Sequence, residues 1–507
     1  MLPPKTDLMK ILLASSEIEP FAKTGGLADV AGALPREMEK LGHQVTVFMP
    51  AYHCAKNAAK KSNLLIEPTS TSLEIPLGKQ IVQGRLLKSK LPDSNVVVYL
   101  VEQDEFFDRA QLYGENGSDY KDNCKRFTFF CRSVLESIRL LNLDPDVIHV
   151  NDWQTGLIPA LLKCEYREHP DYRSIATLIT IHNLAYQGVF EAEKMAVTGL
   201  DGKYFNWEQM EFYDQLNMLK TGIVFADMIN TVSPTYAEEI QGVEQGFGLE
   251  GVLQDRAERL FGIINGIDAT DWSPAVDRHL AENFDSQFDV SSGSPGKAKC
   301  KQALQIESKL EPNPDVPLIG IVGRLATQKG WSLILPVLRH FLDNVDAQWV
   351  ILGTGDPDYH HVLESLHRSH PTKLALTLGF SNEYAHRIEA GADMFVMPSQ
   401  YEPCGLNQMY SMAYGTIPIV RRTGGLADTV INADQETIQN KTANGFSFEE
   451  FSPAALQSTM ARALRMYSED RPTWNQLMKT GMETDWSWRA SALKYEELYR
   501  QTMTLRV

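Results

Sequence analysis

The chain has 507 residues, of which 43% are hydrophobic and 22% are charged, and these fractions are typical of a folded globular protein. Its length exceeds what one hydrophobic core usually organises, so two domains are expected. Lys and Arg total 48 against 65 Asp and Glu, which gives a net charge of −17. Because nucleic acids and anionic membranes are bound through clustered cations, neither is an expected partner.

Six cysteines are scattered along the chain without a C-x-x-C pair: Cys54, Cys124, Cys131, Cys164, Cys300 and Cys404. This spacing disfavours a disulfide framework or a zinc ribbon and favours a reducing compartment. The N-terminal segment lacks the long apolar core of a signal peptide. No segment approaches the roughly 20 apolar residues that cross a bilayer. We therefore expect a cytoplasmic protein.

Short apolar runs of strand length recur along the chain, each followed by a helix-like stretch. Because they lack polar alternation, they are typical of strands buried on both faces of a parallel sheet. The runs lie at 10–16, 44–50, 96–102, 146–151, 176–182 and 228–233, and then at 317–323, 348–353, 374–380, 394–399 and 417–422. Helices are predicted between them, for example at 27–41, 124–141 and 384–392. The pattern predicts an α/β fold made of two doubly wound Rossmann-like domains.

Three segments depart from this pattern. Residues 72–92 alternate in a way that predicts an antiparallel hairpin at the edge of the first sheet. Residues 277–317 are rich in Ser, Gly, Pro and charge and are interpreted as a loop. We place the domain boundary near Gly262, so that residues 1–262 form the first domain and 263–485 the second. The remaining segment, 486–507, contains an amphipathic helix that is expected to pack back onto the first domain.

One hexapeptide, TGGLAD, occurs twice, at 24–29 and at 423–428, and each copy follows a strand and precedes a helix. Six shared letters can arise by coincidence. The alternative is that both domains offer a Gly-rich turn at a helix N-terminus, where backbone N–H groups bind anions and hydroxyls.

Polar side chains also follow several of the predicted strands, where ligands bind in open α/β sheets. A single such residue is usually a turn residue or a helix cap. Here the set combines cations, carboxylates and a histidine: Lys23, Asp152, His182, Arg324, Lys329 and Glu402. Arg324 and Lys329 lie five residues apart across a strand-to-helix turn, so they either share one diphosphate or form an exposed surface pair. The chain has neither a Walker A motif nor a strict G-x-G-x-x-G motif, which disfavours a P-loop NTPase or a dinucleotide oxidoreductase.

Several longer blocks resemble the signature sequences of bacterial glycogen synthases and plant starch synthases. They are KTGGLADVAGALP, HNLAYQG, NGIDATDWSP, GRLATQKG, EPCGLNQ and YGTIPIVRRTGGLADTV, in the order of that family and spread over nearly the whole chain. The resemblance implies a GT-B glycosyltransferase whose two domains face a deep cleft. It implies transfer of glucose from ADP-glucose to the non-reducing end of an α-1,4-glucan such as glycogen or maltodextrin, with retained configuration and release of ADP. It implies no metal and no cofactor.

The resemblance also assigns roles to residues of this sequence. Arg324 and Lys329 would bind the diphosphate and stabilise its charge as it leaves, and Glu402 would lie against the donor glucose. His182 would lie beside the C6 hydroxyl and Asp152 on the acceptor side. These five are the expected catalytic residues. The expected substrate-binding residues are Lys23, Gly25, Gly26, Asp29, Asn183, Asn265, Phe380 (stacking on the nucleotide base), Cys404, Gly405, Leu406, Thr423 and Gly424.

The sequence departs from the family at a few positions. Gln154 stands where many relatives have His, and Phe107 where a Tyr is common. Tyr410 occupies the position of the second Glu found in many other retaining glycosyltransferases, which is a feature of the glycogen and starch synthases.

Other patterns leave alternatives open. A histidine-rich stretch (His360, His361, His367 and His370) is either a metal site or, as we prefer, a solvated helix. Cys404 has no adjacent base that would make it a nucleophile. Four aromatic residues either stack on sugars or belong to the core: Trp153, Trp207, Tyr213 and Trp272.

The rival functions are a plastidial starch synthase, which lacks support because no transit extension is present, and a non-catalytic glucan-binding scaffold. A glucan phosphorylase is disfavoured, because no lysine motif for pyridoxal phosphate is recognisable. The choice between ADP-glucose and UDP-glucose and the oligomeric state stay open.

Overall fold

A computed structural model describes residues 8–115 and 117–505. The predicted absence of a leader segment therefore falls partly on residues outside this description. The chain forms two compact units. Unit 1 comprises the chain up to Val232, Ala237–Ile263 and the chain from Ser491 onward, and unit 2 comprises Ser233–Tyr236 and Ile264–Ala490. Among the described residues, no helix combines the length and apolar content needed to cross a membrane.

Unit 1 is built on a nine-stranded sheet with the order β14-β13-β9-β8-β1-β2-β5-β4-β3, of which β14 through β5 are parallel. A three-stranded sheet, β10-β12-β11, and the two-stranded β6-β7 lie beside it. The strands are β1 (Lys10–Ala14), β2 (Gln44–Pro50), β3 (Glu67–Leu77), β4 (Gln80–Lys90), β5 (Val97–Glu102), β6 (Gly114–Glu115), β7 (Ser118–Asp119), β8 (Val147–Asn151), β9 (Ala176–Ile181), β10 (Val189–Glu191), β11 (Glu211–Phe212), β12 (Gln215–Asn217), β13 (Met228–Thr231) and β14 (Leu260–Gly262).

Unit 2 is built on a six-stranded, fully parallel sheet with the order β17-β16-β15-β18-β19-β20. Its strands are β15 (Leu318–Val322), β16 (Gln348–Gly353), β17 (Leu374–Leu378), β18 (Met394–Met397), β19 (Ile417–Arg421) and β20 (Phe446–Phe448). All residues of β9 and β16 are buried, as expected for parallel strands covered by helices on both faces.

Twenty α-helices connect and cover the strands in the described residues. They are α1 (Gly26–Lys40), α2 (His53–Lys61), α3 (Asp104–Phe107), α4 (Asn123–Leu140), α5 (Asp152–Thr155), α6 (Leu157–Leu161), α7 (Met195–Thr198), α8 (Met218–Phe225), α9 (Pro234–Glu239), α10 (Glu250–Asp255), α11 (Pro295–Glu307), α12 (Trp331–Asn344), α13 (Pro357–Ser369), α14 (Asn382–Gly391), α15 (Asn407–Ala413), α16 (Gly424–Thr429), α17 (Gln435–Gln439), α18 (Pro453–Glu469), α19 (Arg471–Glu483) and α20 (Trp488–Thr504). Short 3₁₀ turns occupy Ala192–Lys194, Gly202–Tyr204, Ala257–Arg259 and Thr327–Lys329, and a π-helical turn occupies Leu162–Tyr166.

The sequence predictions for the strands are confirmed, since each of the eleven apolar runs contains a parallel strand. The predicted hairpin is also confirmed as β3 and β4, which pair antiparallel at one edge of the large sheet. The last five residues of β3 alternate between buried and exposed because this part of the strand is covered on one face only.

The prediction of a loop over 277–317 is wrong in part, because α11 (Pro295–Glu307) lies within it. Ser294 caps this helix through a side-chain hydrogen bond to the N–H of Lys297, and Pro295 occupies the first helical position. Lys297 is buried, and its Nζ donates to Ala390 O, Tyr414 O and Thr416 Oγ1 at 2.6–3.0 Å. The Ser-Pro pair that the composition argument treated as a loop signal is therefore a helix start.

The C-terminal helix α20 packs against strands of unit 1 through buried hydroxyl groups. Tyr499 hydrogen-bonds His149 Nδ1 at 2.8 Å, and Asn230 Nδ2 donates to the Tyr495 hydroxyl at 2.9 Å. Both tyrosines are fully buried. The last two residues of the predicted C-terminal segment, 506 and 507, lie outside the described residues.

These hydroxyl contacts generate a stability prediction. Tyr499→Phe leaves the buried His149 Nδ1 without its partner, so we expect the free energy of unfolding of unit 1 to fall by about 1–3 kcal/mol. Denaturant titration followed by circular dichroism measures this change. Leu493→Ala, on the exposed face of the same helix, is the matched control and should change little. Equal midpoints for Tyr499→Phe and the unaltered protein would contradict the prediction.

Candidate active site

Several predicted site residues follow the strands on either side of the point where the strand order of each sheet reverses: Lys23, Asp152, Arg324, Lys329 and Glu402. In unit 1 this point lies between β1 and β8, and in unit 2 between β15 and β18. In open α/β sheets the loops that leave the carboxyl ends of such strands form the ligand crevice. Each unit is described separately below.

In unit 1 the loop after β1 is held by a buried carboxylate, Glu17. Its oxygens accept hydrogen bonds from the Thr24 N–H and from the Thr24 hydroxyl at 2.6 Å, and a longer one from the Gly25 N–H at 3.3 Å. Tyr113 also donates its hydroxyl to Glu17 at 2.6 Å. Glu17 therefore fixes the start of the glycine turn. The sequence analysis missed it, although it is an acidic residue directly after the predicted strand run 10–16.

The glycine turn itself is open. A Cβ at Gly25 or Gly26 would meet no atom within 4 Å, and Gly25 has an extended φ of −156° that any residue adopts. The fold of the turn thus does not require glycine at these positions, and the missing side chains leave its backbone accessible. Beside the turn, Lys23 Nζ lies 2.6 Å from Asp29 Oδ1, so the predicted cation is present and is paired with a carboxylate of α1.

The loops after β8 and β9 bring Asp152 and His182 together. Asp152 Oδ1 accepts a hydrogen bond from the His182 N–H at 2.7 Å, and His182 Nε2 lies 2.9 Å from Asn151 Oδ1. Asp152 has a positive φ of 54°, a conformation that few residues other than Gly, Asn and Asp adopt readily. Asn183 follows in the same loop, and its side chain accepts from the Ala185 N–H at 3.1 Å.

Burial sets the protonation of both groups. Burial lowers the pKa of His182 to about 3, so its imidazole is neutral at physiological pH. Burial, together with the negative charge of Glu17, raises the pKa of Asp152 to about 7, against the hydrogen bonds from the backbone of His182 and Asn183. Unit 1 therefore places a neutral imidazole beside a carboxyl group of raised pKa.

The unit 2 site is built around an ion pair. Lys329, at the end of the 3₁₀ turn after β15, places its Nζ 2.6 Å from Glu402 Oε2 in the loop after β18. Ser399 donates its hydroxyl to the same carboxylate oxygen at 2.9 Å. Arg324 is exposed on the same turn as Lys329, and its Nη2 lies 3.2 Å from Gln328 Oε1. The Lys329–Glu402 ion pair thus lies at the switch point of this sheet, and Arg324 lies in the same loop as Lys329.

The loop after β19 packs against the Glu402 loop at very short range. A Cβ at Gly424 would lie 2.1 Å from the Glu402 carbonyl oxygen, and one at Gly425 would lie 2.0 Å from the Cys404 carbonyl oxygen. Gly424 also has a φ of +44°, so glycine is required here for both reasons. The Gly425 N–H donates to the Glu402 carbonyl at 3.1 Å, with the buried Thr423 at the N-cap of α16.

The two TGGLAD copies therefore differ in structure. The first starts its helix at the third residue of the repeat with extended backbone before it, whereas the second starts its helix one position earlier with a left-handed glycine. Asp428 of the second copy accepts from the Ser233 hydroxyl and from the Thr235 N–H and hydroxyl at 2.5–3.1 Å. Both copies do form Gly-rich turns at a helix N-terminus, as the alternative interpretation predicted.

Gln408 is a second buried residue that the sequence analysis missed. Its Nε2 lies 3.1 Å from the carbonyl oxygens of both Cys404 and Gly405 and 3.2 Å from Thr429 Oγ1. It thereby ties the 404–406 turn, with Gly405 at φ +71°, to the helix that begins at Gly424. The amide could have been noticed in the block EPCGLNQ, but its partners are visible only in three dimensions.

The remaining predicted residues of unit 2 differ in their surroundings. Asn265 is buried, and its Oδ1 has no hydrogen-bond partner within the described residues. Burial raises the pKa of the Cys404 thiol to about 12, which agrees with the expectation that it is not a nucleophile. Phe380, in the loop after β17, is 89% exposed.

Tyr410, at the position of the second carboxylate of other retaining enzymes, lies in an aromatic stack. The Trp272 ring is stacked between the rings of Tyr410 and His386, with centroids 3.7 Å apart on each side. Both faces of Trp272 are thus covered, and Trp153 is buried against Phe127. These two tryptophans belong to the packing and are not available as sugar platforms.

The histidine-rich helix holds its side chains apart. His360 accepts from the Gly355 N–H at 3.1 Å, His367 Nδ1 lies 2.6 Å from the Leu374 carbonyl, and His370 Nε2 lies 3.1 Å from Asp343. Within residues 8–115 and 117–505, no group of three or more His, Cys, Asp or Glu side chains is arranged to hold a metal ion.

Comparison with known proteins places this geometry in a family. Residues 10–255 match the starch synthase catalytic domain family, and residues 303–479 match glycosyl transferases group 1. The glycogen synthase of Syntrophotalea carbinolica is 47% identical over 98% of this chain and 99% of its own length. The glycogen synthase of Rhodopirellula baltica is 45% identical over 98% of both chains.

Solved structures agree with the sequence matches. The catalytic domain of starch synthase IV from Arabidopsis thaliana, bound to ADP and acarbose, is 32% identical with a TM-score of 0.88 over 98% of this chain and 100% of that chain. Sucrose-phosphate synthase from Thermosynechococcus elongatus, at 17% identity and a TM-score of 0.57, shows likeness of fold alone.

Two doubly wound units with sites at their switch points define a glycosyltransferase of the GT-B fold class, as the sequence predicted. The chain belongs to the family of the glycogen synthases and starch synthases. The fold class and the family resemblance are both confirmed, and the chain is accordingly a hexosyltransferase of that family.

The raised pKa of Asp152 generates a pH prediction. The pKa of the Asp152 carboxyl is about 3.9 in the unfolded chain and about 7 in the folded protein. Between these pH values the folded state keeps a proton that the unfolded state has lost, so the free energy of unfolding falls as the pH rises. Asp152→Asn keeps a residue that tolerates positive φ and removes the titration. From pH 5 to pH 8, the free energy of unfolding of the variant should therefore increase by about 1–3 kcal/mol relative to that of the parent. This range allows for screening of the charge by solvent, because Asp152 is only half-buried.

Denaturant titrations of both proteins at several pH values measure this difference. Asp93→Asn, an exposed carboxylate elsewhere in unit 1 that also has a positive φ, is the control and should show a pH-independent difference. A flat difference for Asp152→Asn would show that its carboxyl titrates normally.

Proposed function

We propose that this chain is a glycogen synthase that transfers glucose from ADP-glucose to the non-reducing 4-OH of an α-1,4-glucan, with retention of configuration and release of ADP. The observation that carries the proposal is the Lys329–Glu402 pair beside Arg324 at the switch point of unit 2. Full-length similarity to glycogen synthases supports the choice of reaction, and the starch synthase bound to ADP supports the choice of donor.

The charges of unit 2 suit the departure of a diphosphate. Glycosyl transfer passes through an oxocarbenium-like state in which positive charge develops on the sugar and negative charge on the leaving group. Arg324 and Lys329 supply fixed cations for that leaving group, and Arg adds a planar fork of donors. Glu402 supplies a carboxylate for the donor glucose. While no donor is bound, Lys329 and Glu402 neutralise each other, which limits the cost of holding both charges in a partly buried site.

Backbone groups complete the donor site in this proposal. The turn formed by Cys404, Gly405 and Leu406 is held by Gln408, and the turn at Thr423 and Gly424 lies against the Glu402 backbone. Both present N–H groups to phosphate or sugar oxygens. Asn265 adds a buried amide oxygen that lacks a partner among the residues that the structure describes, which suits a sugar hydroxyl. The exposed ring of Phe380 is free to stack on the nucleotide base.

Unit 1 contributes hydrogen bonds in this proposal. Neutral His182 serves the donor sugar's C6 hydroxyl, and Asp152 and Asn183 order the acceptor side. Lys23, Asp29 and the open Gly25-Gly26 turn contact the donor from this unit. Because His182 Nε2–H donates to Asn151 Oδ1, the neutral imidazole offers Nδ1 as the acceptor for a sugar hydroxyl.

The proposed partners are ADP-glucose as donor and glycogen or maltodextrin as acceptor. We also propose a cytoplasmic location. All six cysteines are free thiols, which is consistent with a reducing compartment.

Release of nucleoside diphosphate tests the reaction and the donor together. The protein is incubated with ADP-glucose or UDP-glucose, each with and without glycogen, and free ADP or UDP is measured. Glycogen-dependent ADP release is expected. Release of UDP in place of ADP would leave the proposed mechanism unchanged and show that the donor is UDP-glucose. If neither nucleotide is released although the protein binds glycogen, the chain is a glucan-binding scaffold and not an enzyme.

The cations of unit 2 generate a mutational prediction. Arg324→Ala and Lys329→Ala are each expected to lower kcat by about 10²–10³, because each removes a fixed charge from the leaving group. Arg339→Ala, an exposed cation on α12, is the control and should leave kcat unchanged. Melting curves check folding, above all for Lys329→Ala, which leaves Glu402 unpaired. Near-normal turnover in either folded variant would refute the assignment to the diphosphate.

A further inference from the structure

A cavity of about 530 Å³ lies in unit 2 at the amino ends of β15 and β18 and is called here the amino-end cavity. Its lining includes Pro314 and Asp315, which precede β15, and Asp393, which directly precedes β18. Lys329 and Glu402 follow the carboxyl ends of the same two strands. Because β15 spans five residues, or roughly 16 Å, the cavity is separate from the switch point. Its volume is in the range of small-molecule sites.

One wall of the cavity contains a network of buried polar side chains. Lys301 Nζ lies 2.8 Å from Asp393 Oδ2 and donates to the Tyr467 hydroxyl at 2.7 Å. Asp393 Oδ2 also accepts from the Tyr467 hydroxyl at 3.0 Å and from the Leu318 N–H at 2.8 Å. Leu318 is the first residue of β15, so the network is anchored on the sheet. Because each buried charge has its partners here, this wall is held in one arrangement.

Arg471 is a cation of the lining that has no carboxylate partner in the part of the chain that the structure describes. Its guanidinium carbon lies 3.4 Å from the centre of the Tyr467 ring, whereas Lys301 is paired with Asp393. Stacking on the ring fixes the plane of the guanidinium group and thereby orients its N–H donors. A planar fork of this kind binds carboxylate and phosphate groups.

The first turns of two helices also line the cavity. The start of α11 contributes Ser294 and Ala298, and the start of α19 contributes Arg471 and Trp474. A helix N-terminus carries about half a positive elementary charge. The cations of the lining outnumber its carboxylates: Lys297, Lys299, Lys301 and Arg471 against Asp315 and Asp393. On a chain with a net charge of −17 the cavity is therefore suited to an anion.

A buried amide adds a second requirement for the ligand. Asn475 lines the cavity and is 8% exposed, and its Nδ2 donates to the Val290 carbonyl at 2.7 Å. Its Oδ1 has no hydrogen-bond partner among the described residues. A buried acceptor without a donor costs free energy unless a ligand or water supplies the donor. A hydroxyl group suits this oxygen, and an anion does not.

We propose that the amino-end cavity is a binding site for the phosphate ester of a small polyol. The phosphate accepts hydrogen bonds from Arg471 and lies at the first turns of α11 and α19, and a polyol hydroxyl donates to Asn475 Oδ1. This site is separate from the donor site and does not depend on the proposed function. Its ligand contacts the wall that holds the amino ends of β15 and β18, the strands that precede Lys329 and Glu402.

Isothermal titration calorimetry on the full chain tests the proposal. The protein without nucleotide is titrated with sorbitol 6-phosphate, with inorganic phosphate and with sorbitol at constant ionic strength. We expect sorbitol 6-phosphate to bind most tightly, inorganic phosphate more weakly and sorbitol not at all. The proposal is wrong if sorbitol 6-phosphate does not bind. Equal affinities for the two phosphate compounds would show that the ligand is free phosphate and that Asn475 has no part in binding.

Two variants remove the anion site in different ways. Arg471→Ala should weaken the binding of sorbitol 6-phosphate by about tenfold or more, because it removes a charged hydrogen-bond donor. Ala298→Glu places a carboxylate on the exposed first turn of α11, where acidic residues stabilise a helix, and should weaken binding to a similar extent while the protein stays folded. Arg465→Ala, an exposed cation on α18, is the matched control and should bind as the parent does. Unchanged affinity in either folded variant would overturn the proposal.

A further variant separates this cavity from the switch point, where Arg324 and Lys329 are also able to bind phosphate. The double variant Arg324→Ala, Lys329→Ala should keep the affinity of the parent for sorbitol 6-phosphate. Loss of binding in this variant would place the ligand at the donor site and overturn the proposal. If the parent binds sorbitol 6-phosphate through Arg471 but releases no nucleoside diphosphate, the proposed function fails and the amino-end site stands.

Discussion

The close approach of the Gly424-Gly425 turn to the Glu402 loop determines the rest of the unit 2 site. The carbonyl oxygens of Glu402 and Cys404 occupy the space that side chains at Gly424 and Gly425 would fill, at 2.1 and 2.0 Å from an added Cβ. Because the two loops leave neighbouring parallel strands, this contact fixes the height of Glu402 above the sheet. Lys329 follows β15, which neighbours β18 on the side away from β19, and its ammonium group contacts the Glu402 carboxylate. The ion pair is therefore a consequence of the backbone packing.

In unit 1 the glycine turn is held in place by a different interaction. The buried carboxylate of Glu17 accepts hydrogen bonds from Thr24 and Gly25. The result is a turn whose glycines are open on the side-chain face. The two TGGLAD copies are thus alike in sequence, and each follows a parallel strand, yet one is shaped by steric contact and the other by hydrogen bonds.

Sequence patterns predicted the parts of the structure that depend on burial and spacing. The eleven parallel strands were readable because residues buried on both faces must be apolar, and β3 and β4 because half-buried strands alternate. Helix α11 was missed because composition was weighed above the Ser294-Pro295 capping signal. Family motifs predicted site roles for Arg324, Lys329 and Glu402, of which Lys329 and Glu402 form an ion pair in the structure. Glu17 and Gln408 were missed because their importance comes from partners distant in sequence or in other loops, which no local pattern records.

Tyr410 stands where many other retaining glycosyltransferases have a second carboxylate, so the site carries one negative charge fewer. A further buried anion in unit 2 would need its own cation, and the proposed function already assigns Arg324 and Lys329 to the diphosphate. Tyr410 instead stacks on Trp272, whose other face is covered by His386. Helix α15, which carries Tyr410, is therefore held by dispersion without added charge. In unit 2 the Lys329 ammonium is paired with a single carboxylate, Glu402. That balance is suited to a reaction in which a dianionic group leaves and a neutral sugar hydroxyl arrives.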